Sequence, residues 1–309
     1  MPTDQTNRSE DYETAACPMC GGRDGAPLFA KGPSRIARCR ACRLAYASVR
    51  PTESAMARIY DNTYFQDRTS VSEEFIEGRR TLHDVMIETL LKRLGQPAPG
   101  DRLLDVGCGV GKLLLRAREL GWAVEGIEPS AYASAYARDA LRLDVRTGIF
   151  RAGEFPEAAF RAVVLLDVIE HFYDPLAMLR EIHKLLRPGG CCLLTTPNVS
   201  GVSRWLFGAR NYALDATLEG VGHVTFFSES TLAAMLRATG FSRTRSWTGE
   251  VYLKNFTDLL RRGRPAADLH RKARVALRPR WWTVAAYHLA NRLLALTHLG
   301  DQITLIASR

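Results

Sequence analysis

From Arg102 onward the sequence alternates short apolar runs with stretches of helical periodicity, and no other feature restricts the fold as tightly. RLLDV is followed by KLLLRARELG, WAVEGIEPS by ASAYARDAL, LDVRTGI and AVVLLDV by DPLAMLREIHKLLRPGG, and CCLLTTPN completes a fifth apolar run. Strands separated by helices pair in parallel through right-handed crossovers. The pattern therefore predicts an α/β fold, a doubly wound and mostly parallel sheet with helices on both faces. FSRTRSW and the closing DQITLIASR supply a sixth and a seventh strand, with HVTFFSESTLAAMLRATGF as a helix capped by Ser228. A chain of 309 residues that is 46% hydrophobic can bury a core of that size, which excludes disordered, collagenous and coiled-coil classes.

Four of the seven cysteines precede this region as two CxxC pairs, Cys17/Cys20 and Cys39/Cys42, separated by eighteen residues. A CxxC turn aims both sulfurs at one point, and two such turns supply four thiolates to a tetrahedral Zn²⁺. Redox chemistry is disfavoured, because no βαβ pattern surrounds either pair and four ligands leave no open position. The expected organisation is a zinc ribbon over 1–50, a helical lid or linker over 51–99, a core over 100–250, a basic helical insertion over 251–299 and a last core strand over 300–309. The polar start lacks an apolar signal region and no window of 18 residues is apolar throughout. A reducing cytoplasm is the expected compartment, where paired CxxC motifs hold metal more often than they form disulfides.

Asp105-Val-Gly107-Cys-Gly109-Val-Gly111 joins the first strand of the core to its helix. Glycines there allow a tight turn and a ligand pressed against the backbone. The spacing is shorter than GxGxxG, as suits a ligand without a pyrophosphate at the helix N-terminus. Asp105 is placed to receive an ammonium or hydroxyl group, and Glu128, ending the second strand, to accept two ribose hydroxyls.

LLDVGCGVGKLL, VEGIEPS, the segment from Phe160 to Asn198 and HVTFFSESTLAAMLRATGF occur in the order of the motifs of class I S-adenosylmethionine-dependent methyltransferases. Residues 100–250 resemble that superfamily, in particular the branch of coenzyme Q O-methyltransferases and sugar methyltransferases. An N-terminal zinc ribbon is similar to that of deoxysugar C-methyltransferases. The resemblance implies a Rossmann-like core and S-adenosylmethionine as cofactor. It implies that Asp105, Gly107, Cys108 and Gly109 contact the methionine part, and that Glu128 and Pro129 lie at the ribose. Ile149 and Phe150 would flank adenine, Leu166 and Asp167 would close the pocket beneath the sulfonium, and Tyr64, with Tyr60, would lid it. Phe160-Arg161 departs from the Phe-Asp usual in the family.

Methyl transfer to oxygen is an in-line displacement that also needs the acceptor proton removed. Asp167, Glu170 and His171 follow the fourth strand, at the carboxyl edge where ligands bind in open α/β sheets. His171 is the first candidate for general base and His223 the second; for each, a purely structural role in its loop stands beside the catalytic one. Asp167, Glu170 and His171 also resemble the divalent-metal site of the coenzyme Q enzymes and are a candidate Mg²⁺ set. The aromatic and polar stretch from Val199 to Gly222 is expected to cover the acceptor.

The net charge is +9, from 42 Lys and Arg against 33 Asp and Glu. Residues 251–309 hold eleven of the basic and three of the acidic side chains, so the body of the chain is nearly neutral. That distribution, and the lack of an Asn-Pro-Pro-Tyr-like tetrad for a flipped base, argue against a nucleic-acid partner. Within RRGRPAADLHRKARVALRPRWWTVAAYHLANRLLALTHL three roles remain open: a helical cap on the core, a pocket for an anionic nucleotide- or lipid-linked acceptor, or contact of residues 261–298 with the inner face of a membrane through Trp281, Trp282 and arginines. The favoured function is methylation of a small molecule or glycan precursor, at oxygen. The alternatives are a nucleic-acid methyltransferase and a non-catalytic cofactor-binding module.

Overall fold

The computed structural model describes residues 11–56, 82–207, 222–249 and 281–309. Tyr60, Tyr64 and most of the Val199–Gly222 stretch and of the basic insertion lie outside them.

Four strands come first: β1 (Tyr12–Thr14), β2 (Gly25–Lys31), β3 (Ser34–Cys39) and β4 (Ala45–Pro51). They form an antiparallel sheet in the order β1-β4-β3-β2. The CxxC pairs fall at its turns, and each turn closes in the same way. Gly21 N–H donates to the Cys17 carbonyl at 2.9 Å, and Arg43 N–H to the Cys39 carbonyl at 3.0 Å. Gly21 and Arg43 occupy the left-handed region at φ 71° and 68°.

The core begins with α1 (Leu82–Arg93), continues through β5 (Arg102–Val106), α2 (Lys112–Glu119), β6 (Ala123–Glu128) and α3 (Ala131–Asp139), and reaches β7 (Val145–Thr147) and β8 (Phe160–Leu166). After a 3-10 turn at Ile169–His171 come α4 (Pro175–Leu185), β9 (Leu186–Pro197), α5 (Val202–Phe207), β10 (Thr225–Phe226) and α6 (Glu229–Ala238). β11 (Arg243–Gly249), α7 (Trp281–Thr297) and β12 (Gln302–Ser308) close the chain. The expected seven-stranded sheet is present, in the order β11-β12-β9-β8-β5-β6-β7. Six of the seven strands run in one direction, and β12 runs antiparallel to both of its neighbours. Leu103 and Leu104 are adjacent, point to opposite faces and are both fully buried, as are Val163 and Val164 and Leu193 and Leu194. Helices therefore cover both sides of the central strands.

Helix starts follow local chemistry. Ser130 accepts from Ala133 N–H at α3, Asp174 accepts from Ala177 N–H ahead of Pro175 at α4, and Ser228 with Thr231 forms a reciprocal capping box at α6. Arg161, where the family usually has an acid, has a partner of its own. Asp101, buried at the start of β5, accepts from Arg161 and from Arg187 at 2.8 Å each. Its carboxyl lies below the usual range: burial raises it, and the Ala98 N–H and the two guanidinium groups more than offset that.

Two expectations need correction. The helical stretch DPLAMLREIHKLLRPGG is helix only to Leu185, the end of α4; its closing Pro188-Gly189-Gly190 already belongs to β9. The ribbon, expected over 1–50 alone, also draws its last strand from the core, because Thr225 and Phe226 pair antiparallel with Tyr46 and Ala45 on β4.

Candidate active site

The carboxyl ends of β5, β6, β8 and β9 meet at one edge of the sheet. Gly107 and Gly109 sit there at φ 73° and 54°. A Cβ on Gly107 would lie 2.6 Å from Val168 Cγ2, whereas one on Gly109 would meet nothing within 4 Å. Gly107 is thus required by close packing, and Gly109 faces open space. Cys108, between them, turns into the core.

Glu128 is buried with both oxygens engaged, Oε2 accepting from Gly109 N–H and Oε1 from Ser130 N–H, each at 2.8 Å. Each carboxylate oxygen keeps acceptor capacity for one hydroxyl. Pro129 is exposed beside it. Burial raises the Glu128 carboxyl, against the pull of the Ser130 and Gly109 amides. Asp105 lies behind the turn, 3% exposed, and is pushed well above the usual carboxylate range by burial and by the neighbouring Glu128. Lys112 pairs at 3.0 Å with the buried Asp84, which ties the start of α2 to α1.

Past β7, Phe150 turns inward and stacks on Phe155 with ring centroids 6.0 Å apart, while Ile149 is 54% exposed. Of the two residues expected beside an adenine, only Ile149 is presented at the surface.

Leu166 is half-buried at the end of β8. Asp167 follows in the left-handed region at φ 55°. Its backbone N–H donates to the Thr195 carbonyl, and its carboxylate accepts from Thr195 Oγ1 and from Gln302. Asp tolerates this conformation better than most residues, yet the arrangement is held by its neighbours rather than by intrinsic preference. Gln302 and Thr195 carry no sequence signal, because the three residues come from separate strand ends.

Glu170 is 1% exposed and accepts from Thr196 Oγ1 at 2.9 Å. The His171 and His223 rings meet edge to face, centroids 4.7 Å apart. His223 Nε2 is 3.8 Å from Glu170 Oε1, beyond hydrogen-bond range. Burial lowers the His223 imidazole to about 3, so it is neutral at physiological pH.

The donor atoms of Glu170, His171 and His223 lie within 4.8 Å of one another. Asp167, expected to complete a Mg²⁺ set with Glu170 and His171, instead has its carboxylate turned to Thr195 and Gln302. Two imidazoles and one carboxylate do not fit Mg²⁺, which prefers oxygen ligands.

The other donor cluster, Cys17, Cys20, Cys39 and Cys42, also lies within 4.8 Å. Sγ atoms are 3.4 Å apart for Cys17/Cys42 and 3.5 Å for Cys20/Cys39, near the ~3.8 Å edge of a tetrahedron with Zn–S of about 2.3 Å. Burial pushes the Cys39 thiol upward, but the backbone N–H groups of Cys42 and Ala41 and the Cys20 thiol outweigh it and hold it at about 7. Four sulfurs from two CxxC turns at that spacing fit a structural Zn²⁺.

A glycine turn, a buried acid ending β6 with acceptor capacity left for hydroxyls, and ionisable groups at the carboxyl edge of a doubly wound sheet are the arrangement of a nucleotide-cofactor enzyme of the α/β class. Residues 79–245, more than half of the chain, match the methyltransferase domain family. The chain belongs to that family and is an S-adenosylmethionine-dependent methyltransferase. A ubiquinone biosynthesis O-methyltransferase of Xanthomonas campestris pv. campestris (strain B100) is 36% identical over 172 residues, 52% of this chain and 67% of the relative. Phosphoethanolamine N-methyltransferase 2 of Haemonchus contortus, solved with S-adenosyl-L-methionine, shares the fold at TM-score 0.53 and 18% identity, over 91% of this chain and 70% of its own. A SAM-dependent methyltransferase from Archaeoglobus fulgidus does so at TM-score 0.51 and 16% identity, over 79% and 100%.

Proposed function

We propose that the protein transfers a methyl group to a hydroxyl of a small molecule or sugar precursor, with His171 as general base. The observation that carries this reading is the edge-to-face pair of His171 and His223 beside the buried Glu170, one turn beyond Asp167 at the cofactor edge. A histidine whose imidazole is lowered to about 3 is a poor base near neutral pH. That leaves the half-buried His171 to take the proton, with neutral His223 as the wall that orients it. The O-methyltransferase relative supports oxygen as the acceptor atom.

The cofactor supplies an electrophilic methyl on a positive sulfur. Gly109 presents the open backbone against which it would pack, Glu128 would accept its ribose hydroxyls, and Asp105, giving up its proton on binding, would provide negative charge for its cationic groups. Asp167, held by Thr195 and Gln302, closes the site near the sulfonium. With the cofactor bound, its methyl would pass from sulfur to the acceptor oxygen, and His171 would take the hydroxyl proton and pass it to solvent. Calorimetry with S-adenosylmethionine tests the cofactor site: binding to the wild type, and at least a tenfold loss in Asp105→Ala and Glu128→Ala, are expected. Product mass spectrometry with a panel of catechols and nucleotide sugars identifies the acceptor. His171→Ala should then lose turnover at unchanged cofactor affinity, and full turnover in that variant refutes the base.

We infer also that α7 rests on an anionic lipid surface at the inner face of a membrane. Trp281, Trp282, Leu289, Leu293 and Leu296 are 51–83% exposed, and their spacing places Trp282, Leu289, Leu293 and Leu296 along one stripe. Residues 251–280, immediately before the helix, carry nine Lys and Arg against two Asp. Apolar side chains flanked by basic ones match a surface of anionic headgroups over acyl chains. Among the described residues no helix is long and apolar enough to cross a membrane.

A further inference from the structure

The pairing of β10 with β4 joins the cysteine module to one half of the active site. Ala47 N–H, on β4, donates to the Val224 carbonyl at 2.9 Å, and Val224 N–H donates in turn to the Glu170 carbonyl at 2.9 Å. Val224 is thus a backbone relay between the ribbon and the turn that bears Glu170 and His171, with His223 next to it in sequence. Side chains make the same connection. Cys17, Cys39, Leu44 and Tyr46 share a continuous core with Ile169, Val163 and Phe227, and the Phe226 ring meets Phe29 of β2 edge to face at 5.8 Å. Burial and then the four thiols raise the Tyr46 phenol, which places the cysteine cluster beside the strand that receives β10.

The cofactor half is built differently. Gly107 N–H donates to Ile127, Gly109 N–H to Glu128, and Glu128 also accepts from Ser130, all inside the core sheet. A two-residue strand such as β10 has too few hydrogen bonds to hold its own position and depends on the edge it joins. That edge, β4, is held by β3, whose last residue is Cys39.

We propose that the metal-bound four-cysteine module is a positioning element for the acceptor half of the active site. It holds Glu170, His171 and His223 together through Ala47 and Val224; the cofactor half shares the apolar core through Val106 and Ile127, but the hydrogen bonds that shape Gly107, Gly109 and Glu128 come from within the core sheet. The proposal rests on reading the histidine pair as the acceptor side. Its consequence is that metal loss separates two properties that a mere stability role would lose together.

The test uses the full chain, with Zn²⁺ removed by chelation and, separately, in Cys20→Ser and Cys42→Ser. Three quantities are read: amide hydrogen exchange at 223–226, carbethoxylation of His223 by diethyl pyrocarbonate mapped by mass spectrometry, and calorimetric affinity for S-adenosylmethionine. Exchange and His223 modification should each rise at least tenfold, while affinity changes less than threefold. Unchanged exchange and modification overturn the proposal, as does an affinity that falls in step with them. Ala47→Pro provides the second variant should the cysteine variants fail to fold, since it removes one β4 donor and leaves the cysteines intact. With its metal content retained, it should show the same local loosening; a protected His223 in that variant overturns the proposal. A wild type that binds no S-adenosylmethionine would sink the functional reading instead, and the exchange measurement distinguishes the two failures because it needs no cofactor.

Discussion

Gln302 donates its side-chain amide to both carboxylate oxygens of Asp167, at 3.0 and 3.2 Å, across a separation of 135 residues. The first residue of the last strand therefore orients the residue that follows β8 at the cofactor edge. Asp167 is in the left-handed region, where a non-glycine residue persists only if its surroundings hold it. Thr195 supplies the other support. A hydrogen bond to a charged group contributes roughly 1.5–3 kcal/mol, although Asp167 is exposed and the lower end applies. Gln302→Ala should therefore weaken S-adenosylmethionine binding about tenfold in calorimetry, with only a small change in melting temperature. Wild-type affinity in that variant would show that Asp167 needs no orientation.

Asp105 and Glu128 give the proposed cofactor site a pH dependence of known sign. Burial raises both carboxyls, and Glu128 adds to the shift at Asp105. In the free protein each holds its proton to a higher pH than in the unfolded chain, so stability falls as pH rises from the unfolded values toward the folded ones. A cationic ligand favours the ionised forms. Binding should therefore expel up to about one proton, and affinity should rise with pH until the free-protein carboxyls have ionised. Binding enthalpies in buffers of different ionisation enthalpy measure the released proton directly. Asp105→Asn should abolish most of the release, and a wild type that releases none at any pH contradicts the linkage.

The strands and the ribbon could be read in the sequence because each is set by local chemistry. RLLDV is β5 residue for residue, since a buried parallel strand needs only an apolar run with a glycine turn behind it. The four cysteines cluster as their spacing requires, because each CxxC fixes its own turn. Features formed by chain segments far apart were not legible. Thr225 and Phe226 are too few to show a period, so nothing in HVTFF marks them as a strand of the ribbon. His223 replaces Asp167 beside Glu170 and His171 because Gln302 and Thr195 compete for the Asp167 carboxylate, and those partners come from other strand ends. Pro188-Gly189-Gly190 was misleading for another reason. A Pro-Gly-Gly signal states that a helix ends, but not whether a loop or a strand follows.

His223 gives a second pH dependence, of opposite direction. Its folded value is lowered to about 3 by burial, against about 6.5 for an ordinary histidine. Above pH 6.5 neither state is protonated and the residue has no effect. As pH falls below that value, the unfolded chain gains a proton that the folded one refuses, and stability is lost progressively down to about 3. At about 1.4 kcal/mol per pH unit, the loss reaches about 2 kcal/mol at pH 5. Urea unfolding at pH 7.5 and pH 5 measures it. His223→Gln should lose about 2 kcal/mol less than the wild type over that interval, and equal losses would show that His223 titrates normally in the folded protein.

The helix before the last strand is anchored on one side and bare on the other. Thr248 Oγ1 donates to the Leu294 carbonyl at 3.0 Å, and a Cβ on Gly249 would lie 2.5 Å from Asn291 Oδ1, so α7 sits close against β11. The opposite stripe of Trp282, Leu289, Leu293 and Leu296 is apolar and exposed. Full burial of a leucine side chain is worth roughly 1.5–3 kcal/mol, and basic residues near an anionic leaflet add about 1 kcal/mol each. Flotation with vesicles containing phosphatidylglycerol should therefore recover the protein, and vesicles of phosphatidylcholine alone should recover much less. High salt should reduce recovery, since it screens the basic segment. Leu289→Glu combined with Leu293→Glu should abolish flotation without changing S-adenosylmethionine affinity. If that variant still floats, or if it instead converts a dimer to a monomer in analytical ultracentrifugation, the stripe contacts something other than lipid.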